Sequence, residues 1–584
     1  MDKLTDTFKE IWLIDTEYNP GFDGSEKPSP VCLVGWELRS GRKLRLWHNE
    51  LGPVPPFSIG PEILFVAFYA SAEAGFFKAM GWPAPVRVLD LCVEYRNRYN
   101  CLSTIDPRRN LISALTQHKL SSIGLEEKRE MIALVLRGGP YTWEERGAIL
   151  DYCESDVEAL SRLLPAMLGY IDLPRAIYRG RYMSALGSVE TTGSPIDVEL
   201  MDTVVGRWDS IIDKLIERVD ADYGVYEGRS FIKKKFVRWL NSQGMWWPEE
   251  NGKVLLNART FHEMVRVYPD KVSKLRELMD CIAKMRLHDL PVGSDGFNRC
   301  LLSAFGQKTS RNSPSSAKFI FGPSCWMRGF IKPPPEWGIA YIDWEQQEFG
   351  IAAALSNDPN MLAAYNSGDA YLGFAKQAKR VPEDGKKKDH KRERNLCKAC
   401  VLGIGYGMEE LSLSRRIESH LLVSRELLQD HHHLYHQYWE WSNNRIERAM
   451  LTGQCQTIYG WTYHVNPRAI SRGDISRMIR SIRNFPMQSH GAEILRLAVC
   501  YAVEAGILVC ALVHDAVLIM APLDRIDSDA GLMAHFMEKA SRVVLRNRLT
   551  LRTEGSEPER IIRYPDRYMD DRGKAFFDEV MSLV

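Results

Sequence analysis

Residues 338–348 read Gly-Ile-Ala-Tyr-Ile-Asp-Trp-Glu-Gln-Gln-Glu. Residues 339–342 are an apolar run of strand character, Asp343 stands where that strand ends, and Glu348 follows five residues later. Far downstream, the apolar runs 508–513 and 517–521 enclose His514 and Asp515 in the manner of a hairpin. Two strand-end acids from separate parts of the chain suit chemistry that needs two divalent cations held about 3.5–4 Å apart. A single strand-end Asp is equally well a turn or helix cap. The segment between the two acids decides the reading. Arg394, Lys398, Leu402 and Tyr406 recur every four residues, so a helix would carry them on one face, with two cations at one end and an aromatic ring at the other. Such a face can grip a triphosphate and shape a base. Lys386, Lys387, Lys388, Lys391 and Arg392 add positive charge just upstream, though a solvated loop explains that run as well.

The first 175 residues have α/β texture. Residues 11–14 form a short apolar strand ending at Asp15, runs 31–36 and 63–69 give two more, and 144–168 has helical spacing. Asp15 and Glu17 lie two apart on an extended chain, hence on one side, and Tyr152 and Asp156 lie four apart on one helical face. Paired carboxylates of this kind suit a second two-cation site, for hydrolysis of a phosphodiester. Residues 176–300 are mainly helical, with amphipathic stripes over 211–219 and 272–287. Ser, Asn, Pro and Gly then crowd 309–323.

At 584 residues the chain is too long for one core and calls for three or four domains. Its 45% hydrophobic and 26% charged residues are those of a globular protein, and no apolar run approaches the roughly 18 residues of a membrane span. The N-terminus has no apolar core of a secretion signal, and the 12 cysteines lack the spacing of a disulfide framework, so a cytoplasmic location is expected. Lys plus Arg (76) balance Asp plus Glu (75). That balance leaves room for a basic cleft around acidic metal sites.

Taken together, Asp343 with Glu348, Arg394 with Lys398 and Tyr406, and Val513-His514-Asp515 resemble motifs A, B and C of family A, polymerase I-like DNA polymerases, in order and spacing over about 270 residues. Thr309 and Arg311, Arg328, and Arg483, Asn484, Pro486 and Gln488 resemble further elements of that family. The resemblance implies a right-hand architecture. It implies that Asp343, Asp515 and the Trp344 carbonyl hold the metals, and that Arg394 and Lys398 bind the phosphates, with Lys398 protonating the pyrophosphate. Tyr406 and Leu402 would line the nucleotide pocket, Glu348 would exclude a ribose 2′-hydroxyl, and His514 would approach the primer terminus. Gln488 and Arg328 would meet the minor groove or template strand, and Arg311 would be among the substrate-binding residues. Three departures stand out: Ala516 where motif C continues with Glu, Leu402 where Phe or Tyr is common, and Ser310 in place of Gly. With Ala516, catalysis is expected to rest on two acids.

Asp15, Glu17, Tyr152 and Asp156 resemble DnaQ-like 3′-to-5′ exonucleases in the variant where a Tyr orients the attacking water. The second motif is altered, with Tyr69 standing for its Asn and Glu73 for its Asp, while Asp90 is the alternative acid. The fold class expected is therefore an RNase H-like exonuclease domain (1–175), thumb and connecting helices (176–300), palm (301–360 and 466–584) and fingers (361–465). The resemblance implies two Mg²⁺ or Mn²⁺ ions at each site, primed DNA and dNTPs as partners, a monomer, and no membrane. The chain begins almost at the exonuclease strand, without the family's 5′ nuclease, which suggests a bacteriophage enzyme. Two other readings are weighed. A single-subunit RNA polymerase-like transferase is disfavoured by Glu348 and the exonuclease motifs, and an inactive nucleic-acid scaffold by the complete triphosphate-binding set.

Two further signals are set aside. Cys397 and Cys400 form a CxxC with no second pair at zinc spacing and lie within the motif B helix. His431, His432, His433 and His436, among Tyr435, Tyr438, Trp439 and Trp441, read as a partly exposed helix face.

Overall fold

The apolar run ahead of Asp15 becomes β1 (Glu10–Asn19), the middle strand of a five-stranded sheet. The computed structural model describes every residue except 1, 22, 103–109, 122–123, 251, 285–289, 323–324, 406, 418, 466–471, 555–560 and 563–570. Antiparallel β2 (Ser29–Glu37) and β3 (Lys43–Trp47) extend the sheet on one side of β1, and parallel β4 (Ile63–Ala67) and β5 (Val88–Asp90) on the other, in the order β3-β2-β1-β4-β5. Ile11, Trp12, Leu13 and Ile14 are all buried, as a strand covered on both faces requires, so β1 reads as an unbroken apolar run.

Helices cover this sheet. α1 (Ser71–Ala79) follows β4, and α2 (Leu125–Arg137) precedes α3 (Trp143–Leu168), which packs on β1 and β2. Thr142 and Glu145 close a capping box that starts α3. α4 (Leu173–Thr192) lies against α1 and β5. Gly187 sits at the α4–α1 crossing, where a Cβ would stand 2.5 Å from both the Ala74 Cβ and the Ser71 carbonyl oxygen. Gly187→Ala is expected to force the helices apart and cost about 1–3 kcal/mol, the usual scale of overpacking, measurable by chemical denaturation.

The second sheet starts with β6 (Trp337–Asp343). α5 (Gln347–Ser356) and α6 (Lys391–Gly405) follow, then helices Glu410–Ile417 and Leu421–Leu434, and α7 (His436–Thr452). The long α8 (Arg472–Glu504) leads to β7 (Leu508–Val513), β8 (Ala516–Pro522) and α9 (Ile526–Val544). β8 pairs antiparallel with β7 on one side and β6 on the other, in a register that sets Asp343 opposite Ala516. α8 and α9 pack on each other, and α5 packs on α8. The two sheets belong to one compact unit, residues 1–193, 299–314 and 335–561. Within it α4 touches α8 and β7. Arg179 forms a buried bidentate pair with Glu94 at 2.6 and 2.7 Å and donates to the Tyr459 carbonyl at 2.9 Å. The division expected near residue 175 falls in the first turn of α4, and this first segment of the unit runs on to Gly193.

The other unit comprises residues 194–298, 315–334 and 562–584. Helix Trp208–Asp220 buries Trp208, Ile211, Leu215 and Ile216, the three- and four-residue spacing of its apolar stripe. Phe236 packs against Trp247 and Phe261 with centroids 4.9 and 5.5 Å away. Helix Pro269–Lys284 realises the second stripe, whose expected end at 287 lies outside the described residues. Among the described residues no helix is long and apolar enough to cross a membrane.

Candidate active sites

β6 carries Asp343 to its end, and the two-residue turn between β7 and β8 carries His514 and Asp515. His514 takes φ 56°, a left-handed conformation His tolerates better than most residues, and its side chain is exposed. Burial lifts the Asp343 carboxyl to about 8, helped by the charges of Asp515 and Glu554. Its Oδ1 is buried without a hydrogen-bond partner. Burial also raises Asp515, against the opposing pull of Arg311. Glu348, in the first turn of α5, is raised by burial and lies 3.4 Å from Arg311.

Arg394 and Lys398 stand one turn apart on α6 and share one aromatic neighbour: they lie 5.4 and 5.8 Å from the centroid of the Tyr371 ring. Arg394 is held by Asp369 at 2.6 Å. Tyr371 was not singled out in the sequence; its only signal is an aromatic two residues after the helix-capping Asp369. Half-buried Leu402 lines a small cavity with Glu348, Tyr438, Asn484 and Met487. Tyr406 lies outside the described residues. Gln488 is half-buried on α8. Arg328 belongs to the other unit, where its guanidinium lies 5.2 Å from the Phe321 ring.

Ser310 is buried at φ 61°, so the loop keeps a backbone that favours glycine. Arg496 braces it, donating to the Ser310 carbonyl at 2.9 Å and to its Oγ at 3.1 Å. Beside Asp343 the fold places a residue the sequence did not reveal: the Glu554 backbone N–H donates to the Asp343 carbonyl at 2.8 Å.

In the N-terminal sheet, Asp15 and Glu17 share one side of β1. Burial lifts the Asp15 carboxyl to about 7, the Asp156 charge adds to this, and the Cys153 thiol, 3.2 Å from Oδ2, opposes it. Glu17 is raised by burial and then by Asp15 and Asp156. Glu73 in the first turn of α1 is raised by burial and by Asp15, and its Oε2 is buried without a partner. Asp90 is differently employed: its carboxylate accepts from the backbone N–H groups of Tyr69, Ala70 and Val93. Tyr69 takes φ 80°, and its hydroxyl accepts from the Ala304 N–H. Tyr152 and Asp156 face this group from α3. A cation from α2 completes it, for Lys128 lies 2.7 Å from Asp156 and 5.4 Å from the Tyr152 ring. Lys128 also carries no signal in the sequence beyond its place in a polar helix.

As placed, no three His, Cys, Asp or Glu side chains among the described residues surround a common metal position. The carboxylates nevertheless fit divalent cations. Each site holds a buried oxygen with no donor, Asp343 Oδ1 or Glu73 Oε2, next to like charges that push its proton affinity up. Asp343 and Asp15 keep protons in the fold at pH values where the unfolded chain, near 3.8, has released them. Stability of the metal-free protein therefore falls as pH rises from about 4 to about 8. The expected result in scanning fluorimetry is a lower Tm at pH 8 than at pH 6, and a larger Mg²⁺-induced rise at pH 8.

Cys397 and Cys400 are buried in α6, in keeping with packing. His431 departs from the expected exposed face: it is buried, accepting from the Trp439 indole N–H at 3.1 Å, whereas His432, His433 and His436 are exposed.

Residues 324–557 match the model of the family "DNA polymerase family A". Among curated proteins, the thermostable DNA polymerase I of Thermus thermophilus is 24% identical over 217 residues, 35% of this chain and 25% of that protein. DNA polymerase I of Aquifex aeolicus is 22% identical over 444 residues, 68% of this chain and 73% of that protein. The matches to Thermus thermophilus and Synechocystis relatives span about a quarter of those proteins' own length, 25% and 23%. Among solved structures, the POL domain of Pol1 from M. smegmatis, in complex with DNA primer-template and dNTP, shares the fold at a TM-score of 0.65 and 15% identity, over 93% of this chain and 94% of that one. The strand-end acids, the cationic helix face and the match between them make residues 324–557 a family A DNA polymerase domain, with DNA polymerase I relatives at low identity.

Proposed function

We propose that this chain is a template-directed DNA polymerase that adds dNTPs to a primer 3′ end and removes mispaired ends with its own 3′-to-5′ exonuclease. The observation that carries the reading is Asp343 beside Asp515 at adjoining strand ends, within the stretch matched to family A polymerases. Asp343, Asp515 and the Trp344 carbonyl would hold Mg²⁺ or Mn²⁺, as would Asp15, Glu17, Glu73 and Asp156 at the second site. When bound, the ions supply Lewis-acid stabilisation of the attacking and leaving oxygens. Arg394 and Lys398 orient the triphosphate, and Lys398 is the proton donor to pyrophosphate. Tyr371 offers its ring to both cations, 5.4 and 5.8 Å from its centroid. Glu348, braced by Arg311, occupies the place of a ribose 2′-hydroxyl. At the second site Tyr152 orients water for phosphodiester hydrolysis. The strand order β3-β2-β1-β4-β5 supports an RNase H-like exonuclease there. We further propose a role in bacteriophage genome replication, in the cytoplasm of the host.

The test is extension of a primed template in Mg²⁺ with the four dNTPs or the four NTPs. Extension by dNTPs alone is expected; extension with neither set overturns the reading. Glu348→Ala is expected to lower discrimination against NTPs by about 100-fold, as loss of a contact worth some 2.7 kcal/mol would. Paired single-nucleotide kinetics with dCTP and CTP check it.

A further inference from the structure

The chain segment after α9 runs back along the end of β6. Trp344 and Thr553 form an antiparallel bridge, flanked by the Glu345 N–H donating to the Arg552 carbonyl at 2.9 Å and the Glu554 N–H donating to the Asp343 carbonyl at 2.8 Å. In this register Glu345 stands opposite Arg552 and Asp343 opposite Glu554. Directly opposite residues project from the same face, with Cβ atoms about 4.5–5.5 Å apart. The first pair bears this out, because Arg552 Nε meets Glu345 Oε2 at 3.0 Å. The second pair therefore sets the Glu554 carboxylate on the Asp343 side of the strand.

The segment is anchored on both sides of Arg552. The Leu551 N–H donates to Ser541 Oγ at 2.8 Å, the Arg552 N–H donates to the Tyr365 hydroxyl at 3.0 Å, and Leu551 and Thr553 are buried. On the other flank of Asp343 the ladder offers Ala516, which has no carboxylate to give. Glu554 lies within electrostatic reach of Asp515 as well as Asp343, and Lys398 and Lys387 lie within reach of it. An acid is thus missing from one neighbouring strand and present on the other.

We propose that Glu554 supplies the third negative charge of the polymerase cation site, from the strand opposite the one that carries Ala516. The inference rests on the polymerase reading above. Its role is to raise the affinity of the Asp343–Asp515 pair for divalent cations, which two carboxylates facing Lys398 and Arg311 bind less tightly than three.

The test is Mn²⁺ binding to the full chain, followed by electron paramagnetic resonance, in a D15A/E17A background that silences the exonuclease acids. Glu554→Gln is expected to weaken Mn²⁺ binding about 10-fold, in the range found for residues that support metal ligands, while Glu554→Asp keeps most of the affinity. The Mg²⁺ concentration giving half-maximal primer extension should rise in parallel. If Glu554→Gln binds Mn²⁺ as the background does while Asp343→Asn loses it, Glu554 is not part of the site and the polymerase reading stands. If neither substitution changes Mn²⁺ binding, the cation site at Asp343 itself falls, and this inference with it.

Discussion

Asp343→Asn will lower single-nucleotide incorporation by about 1000-fold or more, the loss that corresponds to the several kcal/mol a metal ion contributes to a phosphoryl-transfer transition state. The substitution is nearly isosteric, and it mimics the protonated form that burial beside Asp515 and Glu554 already favours. The fold should therefore survive, and the metal-free protein should be at least as stable near pH 8 as the parent. Rapid-quench incorporation of one dNTP in Mg²⁺, together with a melting curve, separates the two effects. An Asp343→Asn protein that incorporates at the parental rate would remove this residue from the chemistry and leave Asp515 without the second acid of the proposed cation site.

Asp15→Ala is expected to abolish degradation of a single-stranded or mispaired primer end, again by about 1000-fold, while extension of a matched primer stays within about twofold, as expected for sites that share no residues. Asp15 is the point on which its group converges. Its charge raises both Glu17 and Glu73, and it accepts from Cys153 and lies within reach of Lys128. Removing it relieves buried like-charge repulsion, so the loss should appear in the rate and not in the stability. A 5′-labelled primer incubated without dNTPs reads the exonuclease directly. If shortening of the primer persists unchanged in Asp15→Ala, the N-terminal sheet is a structural element and its acids serve another purpose.

Much of this was legible along the chain. A strand that ends in an acid can be read locally, since an unbroken apolar run and the acid are neighbours in sequence; β6 with Asp343 and the β7–β8 turn with Asp515 follow that rule, whereas β1 does not end at Asp15 as expected but runs on to Asn19, because pairing with β2 holds the polar residues beyond it in the ladder. Helix spacing likewise put Arg394 and Lys398 on one face of α6. What could not be read was the choice between chemically equal candidates. Glu73 and Asp90 both follow apolar strands, and only the fold engages Asp90 with three backbone N–H groups while leaving a buried Glu73 oxygen without one.

The sequence by itself determined which residues stand at the ends of strands and on the faces of helices, because those periodicities are set by neighbours a few positions away. Only the tertiary structure decided which of them meet. Lys128 reaches Asp156 and Tyr152 from a separate helix, Tyr371 comes to lie against Arg394 and Lys398, Arg496 holds Ser310 in its left-handed turn, and Glu554 is brought beside Asp343 from more than two hundred residues away. Such pairings depend on strand register and helix packing over long loops, and no local pattern of residues encodes a register between segments so far apart.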